Sequence, residues 1–173
     1  QEDITDLNDV ERAKIGISRT FQVSSIIPKF TALENIVLSL LEKSQKTFQL
    51  FKSLNSNSKL FSEAKEILLQ IELEDRSKVI ASELSHGERR KLEVGLALAM
   101  KPKVFLFDEP MAGLDEIGTK MMINLFQRIK LNSPILLIEH DMDAVFALAD
   151  RVSVIAYGKI VATGTVEEIK ANP

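Results

Sequence analysis

The spacing of hydrophobic positions changes partway along this chain. Up to about residue 100 they recur at three and four. Thr31 and Glu34 stand as a capping box, and Leu33, Ile36, Val37, Leu40 and Leu41 follow, which predicts a helix. Leu60, Phe61, Ala64, Ile67, Leu68 and Ile71 repeat the pattern and predict a second helix. The intervening stretch 52–59 is polar, rich in Ser and Asn, and reads as a loop. Ser85 and Glu88 form another capping box, heading a helix expected to reach about Met100. At the front, Asn8 and Glu11 cap a short helix ending near Gly16. Residues 17–22 then read as a strand, and 23–30, with Pro28, as a loop.

Beyond residue 100 the apolar positions are continuous. Val104 to Phe107 lies between Pro102 and Pro110, Pro134 to Ile138 follows, and Val152 to Ala156 is a third, less pure run. Such runs suit strands covered on both faces, as in parallel sheets. Met122, Leu125, Phe126 and Ile129 fill the first interval with helical spacing, and Met142 to Leu148 fills the second. Strand, helix, strand, helix, strand is the pattern of an α/β fold. Residues 23 to about 100 read as all-helical. They form either a separate lobe or helices that cover the sheet.

Composition narrows the classes. A chain of 173 residues with 45% hydrophobic and 27% charged positions can bury a core. Its net charge of −3 gives no general reason to bind nucleic acid or an anionic membrane surface. No cysteine is present, which excludes disulfides and thiolate metal sites and fits the cytosol. No apolar run approaches the roughly 18 residues of a membrane span. No signal-peptide pattern opens the chain. It starts at Gln1 in mid-pattern, as a piece of something longer would.

Ligands of open parallel sheets bind at the carboxyl ends of the strands. One predicted strand ends in Asp108 and Glu109, another in Glu139 and His140. If the two are parallel neighbours, Asp108, Glu109 and His140 meet at one crevice. Two carboxylates and an imidazole there suit a magnesium ion, a general base and a phosphate contact. Position alone equally suits a solvated turn before Pro110 and a structural His140 beside an N-cap Asp141. The helix beginning after Ser85 presents free N–H groups beside Gly87, a plausible anion site. Taken by itself it is most simply a cap.

Taken in order, the segments resemble the ABC ATPases. Leu84-Ser85-His86-Gly87-Glu88 is similar to their signature motif, departing from L-S-G-G-Q at the third and fifth positions. Val104 to Pro110 matches Walker B, and Ala112-Gly113-Leu114-Asp115 looks like the D-loop. His140 matches the switch histidine and Gln22 the Q-loop glutamine. Asp150-Arg151-Val152, Gly158-Lys159-Ile160 and Gly164-Thr165 follow the family's tail. Five ordered motifs are far more specific than any one of them. Leu-Ser-His-Gly-Glu-Arg-Arg-Lys-Leu-Glu, Glu109-Pro110-Met111-Ala112-Gly113-Leu114 and His140-Asp141-Met142 resemble most the importers of branched-chain amino acids, polar amino acids and amides such as urea. Asp3-Ile4-Thr5 and Glu11-Arg12-Ala13 fit as well.

The resemblance implies a P-loop NTPase, RecA-like core with a parallel sheet, incomplete at its N-terminus. Residues 1–22 and 101–173 would form that core. Residues 23–100 would be an inserted all-helical subdomain ending in the signature helix. It implies an ATP-hydrolysing importer subunit that works with ATP and Mg2+. Glu109 would be the general base, and His140 the contact to the γ-phosphate and attacking water. Asp108 and Gln22 would serve the magnesium. Gln22, Ser85, His86, Gly87, Glu88 and Asp115 would serve the nucleotide, the signature residues acting on a partner subunit's ATP. Expected partners are a second ATPase subunit, identical or not, membrane permease subunits and, indirectly, a substrate-binding protein, at the cytoplasmic face of the membrane. No nucleic-acid partner is expected.

The family's G-x-x-x-x-G-K-S/T loop is missing upstream of Gln22, where the one glycine is Gly16. Gly113 and Gly118 have the loop's spacing, but Thr119 precedes Lys120, so the lysine is misplaced and the match is a decoy. Two other readings compete: a soluble ABC ATPase outside transport, and a catalytically silent, truncated docking subunit.

Overall fold

The computed structural model describes residues 3–8, 11–12, 15–19, 26–43 and 58–172. Strand β1 (Ile17–Arg19) precedes helices α1 (Ala32–Lys43), α2 (Ser58–Gln70) and α3 (His86–Ala99). Then come β2 (Val104–Asp108), α4 (Glu116–Lys130), β3 (Ile135–Ile138), α5 (Met142–Leu148), β4 (Val152–Ala156), β5 (Lys159–Gly164) and α6 (Val166–Ala171). β1, β2 and β3 form a parallel sheet in that order, with Phe105 opposite Ile135 and Asp108 opposite Ile138.

The sheet is packed more firmly on one face than on the other. Phe105 and Phe107 are buried, with rings stacked 5.5 Å apart, and Phe126 of α4 meets Phe107 at 4.6 Å. Burying each such ring is worth about 1.5–3 kcal/mol. Ile135 and Leu137 pack on the same side, beside Met122, Leu125 and Ile129. The opposite face carries Leu136 and Ile138, 58% and 56% exposed. The expected cover on both faces is therefore not found among the described residues. The third apolar run also departs from expectation. β4 pairs antiparallel with β5 in a separate two-stranded sheet. Its residues alternate between inward and outward positions, as a hairpin with one covered face requires.

The helices predicted after Thr31, over Leu60 to Ile71 and after Ser85 are present as α1, α2 and α3. Both bonds of the Thr31–Glu34 box are made, at 2.8 and 3.2 Å. Those of Asn8 and Glu11 are made at 2.9 and 3.0 Å, and residues 13–14 after them lie outside the described residues. α2 starts at Ser58, so the loop read over 52–59 loses its last two residues to the helix, and 52–57 lie outside the described residues. Residues 20–22 of the expected first strand lie outside them as well. α1, α2 and α3 meet closely at Gly95. A Cβ there would come within 2.7 Å of Ile71 Cδ1 and 2.9 Å of Ile36 Cδ1, so only glycine fits without displacement. One hydrophobic cluster runs from these helices to β2 and α4.

An ion-pair hub ties α3 to α4 through the turn after α2. Glu72, at φ +56°, accepts from the buried Lys91 ammonium of α3 at 2.9 Å and from Arg128 of α4 at 2.8 Å. The Lys91 hydrogen bond, ahead of opposing burial, holds the Glu72 carboxyl below its ordinary value.

Candidate active site

β2 and β3 end side by side because they are parallel and in register. The Glu109 N–H donates to Ile138 O at 2.9 Å, which carries the pairing one residue past the strand. There the backbone turns. Glu109 adopts φ +48°, a left-handed conformation that costs a non-glycine residue on the order of 1 kcal/mol. The turn brings its carboxylate to the next strand's end, where Glu109 Oε1 lies 3.6 Å from His140 Nδ1. Both side chains are solvent-accessible. The Asp141 side chain accepts from Asp143 and Ala144 N–H at 3.0 and 3.2 Å and starts α5 directly after His140. Asp108, Glu109 and His140 thus share one edge.

Glu139, which the motif reading left without a role, holds this edge together. Its Oε1 accepts the Met111 N–H at 2.9 Å, and its Oε2 accepts the His140 N–H at 3.2 Å. One carboxylate therefore joins the loop after Glu109 to the residue beside the imidazole. Its position at a strand end was the only signal, because its main partner is a backbone group 28 residues away.

The loop continues through Ala112, whose N–H donates to Glu109 O at 3.1 Å, and Gly113, at φ +76°. Asp115 is the N-cap of α4 and accepts from Gly118 N–H at 2.8 Å. Gly118, Thr119 and Lys120 lie in this helix, and Lys120 pairs with Glu116 at 2.6 Å on its exposed surface. The decoy lysine is thus engaged away from any loop.

Ser85 is the N-cap of α3. Its Oγ accepts from Glu88 N–H at 3.3 Å, and Glu88 Oε2 accepts from Ser85 N–H at 2.7 Å. Burial works against ionising Glu88, but the Ser85 bonds and the Arg76 guanidinium at 2.8 Å outweigh it and lower its pKa. Gly87 is open. A Cβ there would meet only Leu114 Cδ2, at 3.9 Å. His86 turns its ring toward the loop, with Nε2 3.2 Å from Ala112 O. Gln22 lies outside the described residues.

The family model described as "ABC transporter" matches residues 1–112. The chain belongs to the ABC transporter ATP-binding family. Among relatives of this ABC chain is the methionine import ATP-binding protein MetN of Haemophilus ducreyi. It is 36% identical over 99% of this chain and 48% of its own length. The high-affinity branched-chain amino acid transport ATP-binding protein LivG of Salmonella typhimurium is 34% identical over 93% of this chain and 66% of its own. The ABC chain thus spans between about half and two thirds of these relatives. Among solved structures, the ATP-binding cassette MJ1267 of an ABC transporter superposes with a TM-score of 0.84 at 30% identity, over 98% of this chain and 69% of that one. The cassette MJ0796, in a dimeric post-hydrolysis state with ADP and Pi, gives 0.74 at 26% identity, over 93% and 68%. The P-loop NTPase fold and its parallel sheet follow from these likenesses.

Proposed function

We propose that the protein is the ATP-hydrolysing subunit of an ABC importer for an amino acid or an amide. The observation that carries this reading is the shared edge of Glu109 and His140, 3.6 Å apart at the ends of two parallel strands. The named activities of the methionine and branched-chain relatives favour amino-acid import.

Glu109 is the general base. Its carboxylate takes the proton of the attacking water, and His140 orients that water and the γ-phosphate. Phosphoryl transfer depends on positioning and charge neutralisation more than on covalent chemistry, and these two side chains would supply the positioning. No cluster of three or more acid or imidazole groups forms a metal cage among the described residues. Magnesium keeps waters and phosphate oxygens and takes one or two carboxylates. Asp108 offers such an oxygen beside Glu109, with Gln22 as the second proposed donor. Bound magnesium would neutralise phosphate charge there.

The signature segment of one subunit serves the nucleotide of a second, through the Ser85 cap, the α3 N–H groups and the open Gly87 backbone. An isologous dimer then has two equivalent sites. Residues 1–22 and 101–173 act as the ATPase core and 23–100 as the helical subdomain. A phosphate-binding loop, absent from these 173 residues, is needed at the carboxyl ends of β2 and β3, beside Asp108, Glu109 and His140. The turn at 27–30, with Phe30 exposed, faces the permease subunits at the cytoplasmic side of the membrane. No helix among the described residues is long and apolar enough to cross the membrane itself.

The test uses the complete protein that carries this chain. Glu109→Gln should lower kcat by about 10²–10⁴-fold and leave nucleotide affinity nearly intact, because the amide keeps shape but is a poor base. Asp108→Asn should instead weaken magnesium-dependent nucleotide binding. Equal loss of affinity in both variants would remove the division of roles.

A further inference from the structure

His86 has a partner that its place in the signature motif does not foretell. It is the first residue of α3, and its ring leans across to the loop that follows Glu109. Nε2 lies 3.2 Å from Ala112 O. A carbonyl oxygen only accepts, so Nε2 carries the proton in this contact, whether the ring is neutral or charged. Gly113 makes room for it. A Cβ on Gly113 would stand 3.1 Å from Nε2, 3.7 Å from Cδ2 and 3.8 Å from Cε1, so the ring lies directly over this glycine.

The decisive detail is what else Ala112 does. Its N–H donates to the Glu109 carbonyl at 3.1 Å while its own carbonyl accepts from His86. A single residue therefore joins the head of the signature helix to the backbone of Glu109, which sits at φ +48°. Glu139 restrains the same loop from the other side, through Met111 N–H. A loop held at two points follows a shift at either one, because packed segments transmit displacement.

We propose that His86 is a positioning residue. It ties the signature segment to the Glu109 loop within one subunit, so a movement of the head of α3 reaches Glu109 through Ala112. The catalytic consequence rests on the proposed function: if the signature segment closes on a partner's ATP and Glu109 serves its own, the clasp links the two sites of a dimer.

The test separates the clasp from the chemistry. In the complete protein, hydrogen exchange is followed over the amides of residues 111–115 in three versions: unsubstituted, His86→Phe and His86→Gln. Phenylalanine keeps a ring but has no donor. Glutamine has an amide donor of similar reach. His86→Phe should speed exchange in the loop about 3- to 10-fold, the equivalent of one lost hydrogen bond, and His86→Gln should return it to near the starting rate. His86 is exposed, so neither variant should unfold the chain. In the complete protein, His86→Phe should lower kcat several-fold with little change in KM and bring the Hill coefficient for ATP toward 1, with His86→Gln restoring both. Unchanged exchange in His86→Phe overturns the clasp, whatever the protein hydrolyses. Faster exchange with unchanged turnover and cooperativity overturns its coupling role. If the unsubstituted complete protein hydrolyses no ATP, the proposed function fails, and the exchange result alone decides the clasp.

Discussion

Two carboxylates among the described residues sit at left-handed backbone positions and meet their partners in opposite ways. Glu72, at φ +56°, is held by Lys91 and Arg128 at 2.9 and 2.8 Å. Glu109, at φ +48°, meets His140 at 3.6 Å, beyond hydrogen-bond reach. The first carboxylate is locked, and its partner Lys91 is 7% exposed. The second stands at the edge of the sheet in contact with solvent. A locked carboxylate stabilises and cannot readily accept a new proton. One held loosely at an open edge can do chemistry but repays little of its backbone strain. Under the proposed function the same residue type serves packing in one place and reactivity in the other, and its partners decide which.

The largest effect on stability is expected at the hub. Glu72→Ala leaves the Lys91 ammonium buried and unpaired. Breaking a fully buried pair costs about 3–5 kcal/mol, but Glu72 is half exposed, so a loss of about 1–2 kcal/mol is expected from urea unfolding of the chain. An equal loss for Glu109→Ala would erase the contrast.

Acid should reveal the same difference. The folded-state pKa values of Glu72 and Glu88 are both depressed below 4.5. Their contribution is present above that unfolded value and is lost as pH falls through the folded values. Glu72→Gln should therefore flatten the loss of stability below about pH 4.5, with unfolding midpoints compared at several pH values. An unaltered acid limb would show that the hub does not carry it.

The smallest effect tests strain. Glu109→Gly removes the left-handed penalty and, with no strong pairing lost, should raise stability by about 0.5–1 kcal/mol while abolishing turnover. A destabilised variant would mean that the Glu109 side chain supports the fold.

Much of this arrangement was legible in the sequence where the signal is local. The three capping boxes used there, at Asn8, Thr31 and Ser85, are formed as spacing required. A fourth, Thr165 with Glu168, is formed as well and starts α6. The apolar runs marked β2 and β3, and their ends marked the edge where Asp108, Glu109 and His140 meet. Pairing was less legible. β4 joins β5 in an antiparallel hairpin because Tyr157 and Gly158 both take positive φ and reverse the chain, a property apolar spacing does not encode. Distant polar contacts were not legible at all. Glu72 with Lys91 and Arg128, Glu139 with Met111, and His86 with Ala112 depend on which loops the fold brings together.

The most direct test is steady-state phosphate release by Glu109→Gln and Glu72→Gln versions of the complete protein, at equal concentrations of folded subunit. The expected result is a loss of about 10²-fold or more for Glu109→Gln and a change within a few-fold for Glu72→Gln. Phosphate release by Glu109→Gln within twofold of the unsubstituted protein would contradict the assignment of Glu109 as the base and the function built on it.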